Sequence, residues 1–126
     1  MKITRIAVVS IPVRDQQAAK AFYRDVLGFA VVRDDPMGPD QRWVQLAPEG
    51  AATSITLVTW FSNMQPGGIS GLVLETDDVA AAHAALQARG LALAPIESAP
   101  WGQYTTFNDP DGNGWVLQQA APGMTR

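Results

Sequence analysis

The residues that could do chemistry are few, and their types set limits at once. The chain has one histidine, His83, and no cysteine. Disulfides, thiol nucleophiles, cysteine-based zinc sites and any site needing two histidines of one chain are excluded. His83 lies in the run Ala80-Ala81-Ala82-His83-Ala84-Ala85 and reads as a surface residue of a helix. Asp15, Asp77 and Asp78 stand where helices should begin and read as caps. Asp109 and Asp111 belong to a turn, where Asp-Pro and Asp-Gly have conformational reasons to occur. Glu75 is different. Strand alternation puts it on the face away from the helices, with no adjacent lysine or arginine. There it could act as a general base or hold a cationic group. Gln118, on the same face as Val116, is a candidate hydrogen-bond partner.

Aromatic residues supply the other signal, with four tryptophans in 126 residues. Trp43 and Trp60 have the parity of a cavity-facing position, and Ser10 and Thr56 add hydroxyls to such a face. Trp101 and Tyr104 follow Pro100 at the mouth of an expected strand. Trp115, beside Leu117, reads as core. Aromatic walls suit a flat or cationic ligand through stacking and cation–π contact. Met37 and Arg42 fall in a Pro/Gly-rich loop that could cover the site.

These side chains need elements to position them, and the chain is one domain's worth of protein, within the usual range of roughly 100–150 residues. Its 47% apolar and 17% charged residues are enough for a core and too little charge for disorder. A net charge of −3 leaves no basic footprint for a phosphate backbone, so no nucleic-acid partner is expected. The apolar run near the N-terminus is broken by Arg5, Ser10, Pro12 and Arg14. No signal or membrane segment is expected, and a cytoplasmic location follows as the expectation.

The chain repeats itself. Val13-Arg14-Asp15 and Thr76-Asp77-Asp78 each close an apolar run and precede an alanine-rich segment. Those segments end at Leu27-Gly28-Phe29 and Arg89-Gly90-Leu91, and Pro48-Glu49-Gly50 and Pro110-Asp111-Gly112 follow. Matching residues are 63, 62 and 62 apart, which argues for two copies of one unit. The first reads as a strand over 4–13, a helix ending at Gly28, and strands near 29–34, 42–47 and 54–61. The second reads as a strand over 71–76, a helix over 79–89, and strands near 91–96, 103–108 and 114–119. A polar, flexible linker, 62–68, joins repeat one (about 4–61) to repeat two (about 69–119) within a single domain, 1–126. The expected fold is α+β: two βαβββ repeats forming a curled mixed-sheet cup, with the helices on its outer face.

This order of elements, with these words in these places, resembles the vicinal oxygen chelate superfamily of glyoxalases, bleomycin resistance proteins and extradiol dioxygenases. The carrying residues are Val13-Arg14-Asp15, the run from Ala21 to Phe29 (AFYRDVLGF), Thr76-Asp77-Asp78-Val79 and the run from Phe107 to Asn113 (FNDPDGN). The resemblance implies a homodimer and, in most members that are enzymes, one divalent metal in the cup. Its ligand positions fall here on Val8, on Gly71, on Val116 and on Ser54, or on Thr56 if the 51–53 loop carries two extra residues. None of these sets can make a divalent site, so no metal and no cofactor is expected. The expected function is metal-independent binding of an aromatic or cationic organic molecule by Ser10, Trp43, Thr56, Trp60, Glu75, Trp101, Tyr104 and Gln118. The alternative is a glyoxalase-like lyase or isomerase, or a dioxygenase-like enzyme, using a displaced metal site or Glu75 as base.

Overall fold

The computed structural model describes residues 1–124. Strand β1 (Val8–Pro12) leads to helix α1 (Gln16–Ala21), which continues through a wider π-type turn over Phe22–Val26. Strands β2 (Ala30–Pro36), β3 (Arg42–Ala47) and β4 (Ser54–Val58) complete the first repeat. The second holds β5 (Leu72–Glu75), α2 (Val79–Ala88), β6 (Glu97–Ala99), β7 (Gly102–Asn108) and β8 (Gly114–Ala120). Each repeat forms its own open four-stranded sheet, in the orders β1-β4-β3-β2 and β5-β8-β7-β6. In both, the first strand pairs parallel to the last and the remaining pairings are antiparallel. No helix of the described residues is long and apolar enough to cross a membrane.

Local chemistry explains the helix bounds. Asp15 accepts from the backbone N–H of Gln17 and Ala18, at 2.9 and 3.1 Å, and Asp78 accepts from Ala81 at 3.0 Å. Side-chain oxygens thus satisfy donors that the first helical turn leaves free. Gly28 and Gly90, just past the helices, take φ of +77° and +92°, a conformation that costs glycine little. Buried Gln16 ties α1 to its sheet: Nε2 donates to the carbonyls of Arg42 and Leu57, and Oε1 accepts from the Arg42 N–H.

Each sheet buries one face under its helix. Ile11, Val44, Leu46, Ile55 and Leu57 of the first sheet join Phe107, Trp115 and Leu117 of the second in one core with Tyr23, Phe29, Val79 and Leu86. Trp115 is core, as its parity indicated. The alternate residues form the opposite faces, which carry no helix.

Several segments depart from expectation. Residues 91–96 are not a strand; the ladder starts at Glu97, after Pro95, whose missing N–H and fixed φ interrupt regular pairing. Ala94 still reaches β7 through its N–H to the Thr106 carbonyl and through its own carbonyl, which accepts from Thr105 Oγ1. A ring nitrogen of His83 bonds that carbonyl at 2.9 Å, so His83 is a tie between helix and loop, not a free surface residue. The linker is a series of hydrogen-bonded turns, and a Cβ on Gly67 would lie 2.4 Å from the Asp111 carbonyl oxygen. Arg42 opens β3, with its guanidinium held by Asp34 and Gln17, and does not belong to a covering loop.

Candidate functional site

The helix-free face of the second sheet gathers most of the chemistry. Glu75 on β5 is opposite Gln118 on β8, Gln118 is opposite Tyr104 on β7, and Tyr104 is opposite Glu97 on β6. One row of side chains therefore crosses all four strands. Gln118 Nε2 donates to Glu75 Oε1 at 3.3 Å, and the Tyr104 hydroxyl donates to Glu97 Oε2 at 2.8 Å. Bonding to that carboxylate favours the neutral phenol and raises the Tyr104 pKa from its ordinary value. The next row is Val73, Val116 and Thr106.

Trp101 stands just before β7 and stacks on Tyr104, with ring centroids 5.1 Å apart and planes 25° apart. Gly102 makes this approach possible: its φ is +148°, and a Cβ there would lie 2.2 Å from the Gln119 carbonyl oxygen. Any side chain would push β7 off β8 and take the aromatic pair with it. Both rings keep exposed surface, with Trp101 at 38%.

The first sheet presents a different face. Ser10 on β1 is opposite Thr56 on β4, Thr56 is opposite Gln45 on β3, and Gln45 is opposite Arg33 on β2. Trp43 lies on the same face, its Nε1 donating to Gln45 Oε1 at 2.9 Å. Thr56 is 1% exposed, and its hydroxyl has no hydrogen-bond partner among the described residues. A buried hydroxyl without a partner carries a desolvation cost of about 1–3 kcal/mol, so it stands out as an atom waiting for one.

The strand register decides between Ser54 and Thr56. Ser10 and Val73 each stand five residues before their helix cap, and they pair with Thr56 and Val116 respectively. Thr56 is thus the counterpart of Val116. The four positions read Val8, Thr56, Gly71 and Val116, offering one hydroxyl and no carboxylate, imidazole or amide. This donor set does not fit a divalent metal. Among the described residues, no three His, Asp or Glu side chains gather closely enough to hold one.

The structure therefore assembles Glu75, Gln118, Trp101 and Tyr104 on one sheet and Ser10, Thr56 and Trp43 on the other. Trp60 joins neither group. Strand β4 ends at Val58, and Trp60 lies beyond it, tilted against Phe61 at 6.1 Å. Glu97 was not foreseen because the strand was expected to end before it; Gln45 shares its parity with Trp43 and was legible. A crevice of about 430 Å³ opens beside the row, lined by Glu75, Thr76, Asp77, Gln119 and Ala120. Another of about 690 Å³ lies between Arg14–Gln17 and the loop joining β2 to β3, away from both groups.

Comparison with known proteins agrees with this architecture. The family model described as Glyoxalase/Bleomycin resistance protein/Dioxygenase superfamily matches residues 5–117. The uncharacterized protein YetH of Bacillus subtilis strain 168 is 33% identical over 121 residues, covering 93% of this chain and 99% of that protein. The crystal structure of TnmS3, an antibiotic binding protein from Streptomyces sp. CB03234, superposes with a TM-score of 0.91 at 47% identity. The match covers 96% of this chain and 99% of TnmS3. A glyoxalase/bleomycin resistance protein from the same Streptomyces strain reaches a TM-score of 0.83 at 49% identity, covering 91% of this chain and all of the other.

Proposed function

This chain belongs to the glyoxalase/bleomycin resistance protein/dioxygenase superfamily, and on that premise we propose that it binds a small aromatic or cationic organic molecule without a metal. The observation that carries this reading is the Trp101–Tyr104 stack beside the Glu75–Gln118 pair, on a sheet face that no helix covers. A stacked, part-exposed aromatic pair flanked by hydrogen-bonding groups is the equipment of a ligand wall, since a flat ring gains both apolar contact and π-stacking there. The positions at which the resemblance implies metal ligands hold Val8, Thr56, Gly71 and Val116, a donor set that supports a reading without the Lewis acid that glyoxalase-type chemistry would need. That TnmS3 is described as an antibiotic binding protein supports sequestration over turnover.

Homodimerisation is part of the same reading. The aromatic row and the Thr56 row stand on two sheets that share no strand pairing. Val73, beside the row, is 52% exposed, an apolar surface that a second copy would cover. The absence of cysteine suits a cytoplasmic setting.

The test is a thermal-shift and tryptophan-fluorescence screen against aromatic small molecules, with metal analysis after exposure to nickel, zinc, iron and manganese. Binding stabilises the folded state by linkage, so hits raise Tm. The response is expected to fall in Trp101→Ala and Tyr104→Ala and to weaken in Trp43→Ala. Stoichiometric metal uptake, or three variants indistinguishable from the parent chain, would overturn the proposal.

A further inference from the structure

The two helices are capped alike and then diverge. Counted from the caps Asp15 and Asp78, Ala19 corresponds to Ala82, Phe22 to Ala85 and Tyr23 to Leu86. Where α1 and its π-type turn place two aromatic rings, α2 places a methyl and an isobutyl group. Tyr23 fills its side of the junction between the repeats, with its ring against Phe22, Phe29 and Trp115. On the α2 side the space is open. A crevice of about 330 Å³ lies there, walled by Phe29 and Pro48 of the first repeat and by Leu74, Ala85, Leu86 and Phe107 of the second. Apolar interiors pack to near-crystalline density, so an open space of this size against core residues is the exception. An apolar cavity of roughly 150 Å³ already accepts a benzene ring.

Charge stands at the rim. Arg89, the one lysine or arginine between residues 69 and 119, closes α2 and reaches across to the first repeat. Its Nη1 donates to the Val26 carbonyl at 2.8 Å and lies 4.0 Å from where a Cβ on Gly28 would stand. Among the described residues, no carboxylate is within salt-bridge distance of this guanidinium. Its other N–H groups are thus on offer at the mouth of an apolar space. Glu49 also lines the crevice, from an exposed turn where water screens its charge. Glu75 adjoins it too, but its carboxylate turns away to Gln118 on the opposite face of the sheet. Trp101 and Tyr104 do not line it.

We propose that this crevice is a second ligand site, for a compact monocarboxylate carrying one aromatic ring or a short branched chain. The apolar part takes the place that the first repeat gives to its own rings, and the carboxylate pairs with Arg89. The site goes beyond the aromatic wall of the second sheet and does not depend on it. Its walls set the class of the ligand. A polar group pushed among Phe29, Leu74, Leu86 and Phe107 would lose its water without gaining a partner. A carboxylate left at the rim matches the planar fork of a guanidinium through paired, charge-assisted hydrogen bonds. An amine there would meet the like charge of Arg89.

A matched set of probes tests this: 3-phenylpropionate, 3-phenylpropanol and 3-phenylpropylamine share ring and chain and are anionic, neutral and cationic at neutral pH. Titrations are followed by methyl NMR of the protein, where Ala82, Ala85 and Leu86 report the crevice and the Trp101 indole reports the aromatic face. The anion is expected to shift the three crevice residues, leave the indole in place and bind about fivefold more tightly than the alcohol. The amine should bind most weakly. Arg89→Gln should bring anion and alcohol within about twofold while leaving the alcohol unchanged. Ala85→Phe puts back the ring of the first repeat and should weaken every probe by about tenfold or more. Ala85→Leu adds less volume and should act in the same direction if phenylalanine overpacks the chain. Equal affinities for anion and alcohol, or a preference for the amine, would overturn the pairing with Arg89. Crevice residues that stay unmoved by all three probes would overturn the site itself. Shifts confined to Trp101 would do so too, while leaving the aromatic wall as the binding face.

Discussion

The two repeats share one plan, yet the turns that close them behave differently. In the second repeat, the ends of the turn, Asp109 and Asn113, are buried against the first repeat. Asp109 accepts from the N–H groups of Asp111 and Asn113, from Asn113 Nδ2 and from the Tyr23 hydroxyl, all at 2.7–2.9 Å. Trp115 Nε1 donates to the same hydroxyl, Asn113 Nδ2 also reaches the Pro12 carbonyl, and Arg14 bonds Asp111. In the first repeat the matching positions are Ala47 and Ala51, and α2 carries Ala85 and Leu86 where Tyr23 would recur. Nothing there can form the network. An apolar crevice of about 330 Å³ remains instead, bounded by Phe29, Pro48, Leu74, Leu86, Phe107 and Leu117. One junction is a hydrogen-bonded latch, and its twin is a loose apolar contact. Cohesion between the repeats is thus concentrated on the side where the polar groups are buried and satisfied.

The most direct way to break this contrast is to remove the hub of the latch. Asp109→Ala leaves the Tyr23 hydroxyl and the backbone N–H of Asn113 buried without acceptors, each a loss of about 1–3 kcal/mol. A total destabilisation of about 3 kcal/mol or more is expected from urea unfolding. Glu49→Ala, in the exposed turn of the first repeat, should stay within about 0.5 kcal/mol. Similar losses from the two variants would show that the junctions are equivalent after all. Tyr23 adds a second signature. Burial, followed by its bond to Asp109, holds its phenol far above the ordinary value of about 10. The unfolded chain ionises first, so this contribution is complete below about pH 10 and is lost as the pH rises beyond it.

The sequence exposed the duplication and the caps because both are local. Asp15 and Asp78 needed only their own helices, and Gly28 and Gly90 only the turn that follows. Face parity on β8 was equally legible, with Trp115 and Leu117 inward and Val116 and Gln118 outward. Trp60 was misplaced because alternation continues past the point where pairing stops; β4 has a partner only as far as Val58, opposite Pro12. The segment 91–96 looked like a strand from its spaced leucines, but Pro95 delays the ladder. What could not be read was pairing at distance. Tyr23 and Asp109 are 86 residues apart, and no spacing rule predicts that they meet. The orphaned Thr56 hydroxyl and the Trp101–Tyr104 stack are likewise products of register and packing.

The contrast between the two open faces can be sharpened at Thr56. Thr56→Val keeps the shape and removes the hydroxyl that has no partner. The folded chain should become more stable by about 1 kcal/mol, since an unsatisfied buried polar group is exchanged for a methyl. Ligand affinity should fall at the same time. Gain of stability with loss of binding is the signature of a group kept for function. A variant that lost stability would indicate that the hydroxyl is already satisfied, and the first sheet would then have no claim on the ligand.

The smallest effect concerns how each repeat manages its carboxylates. Asp34 accepts two bonds from the Arg42 guanidinium, at 2.9 and 3.0 Å, and one from Lys20 at 2.7 Å. Bonding to Arg42, then to Lys20, holds its carboxyl below the ordinary value. A carboxylate depressed in this way stabilises the fold in full above its unfolded value of about 3.9, and the contribution fades as the pH falls from there through the folded value. The cluster is partly exposed, so its worth at neutral pH is less than about 1 kcal/mol. Asp34→Asn should therefore cost little near pH 7 and narrow the gap between stabilities measured near pH 7 and near pH 3. An unchanged gap would mean that the paired carboxylate of the first repeat contributes no more to stability than the unpaired ones of the second. The contrast between strand carboxylates that are paired in the first repeat and unpaired in the second would then have no energetic basis.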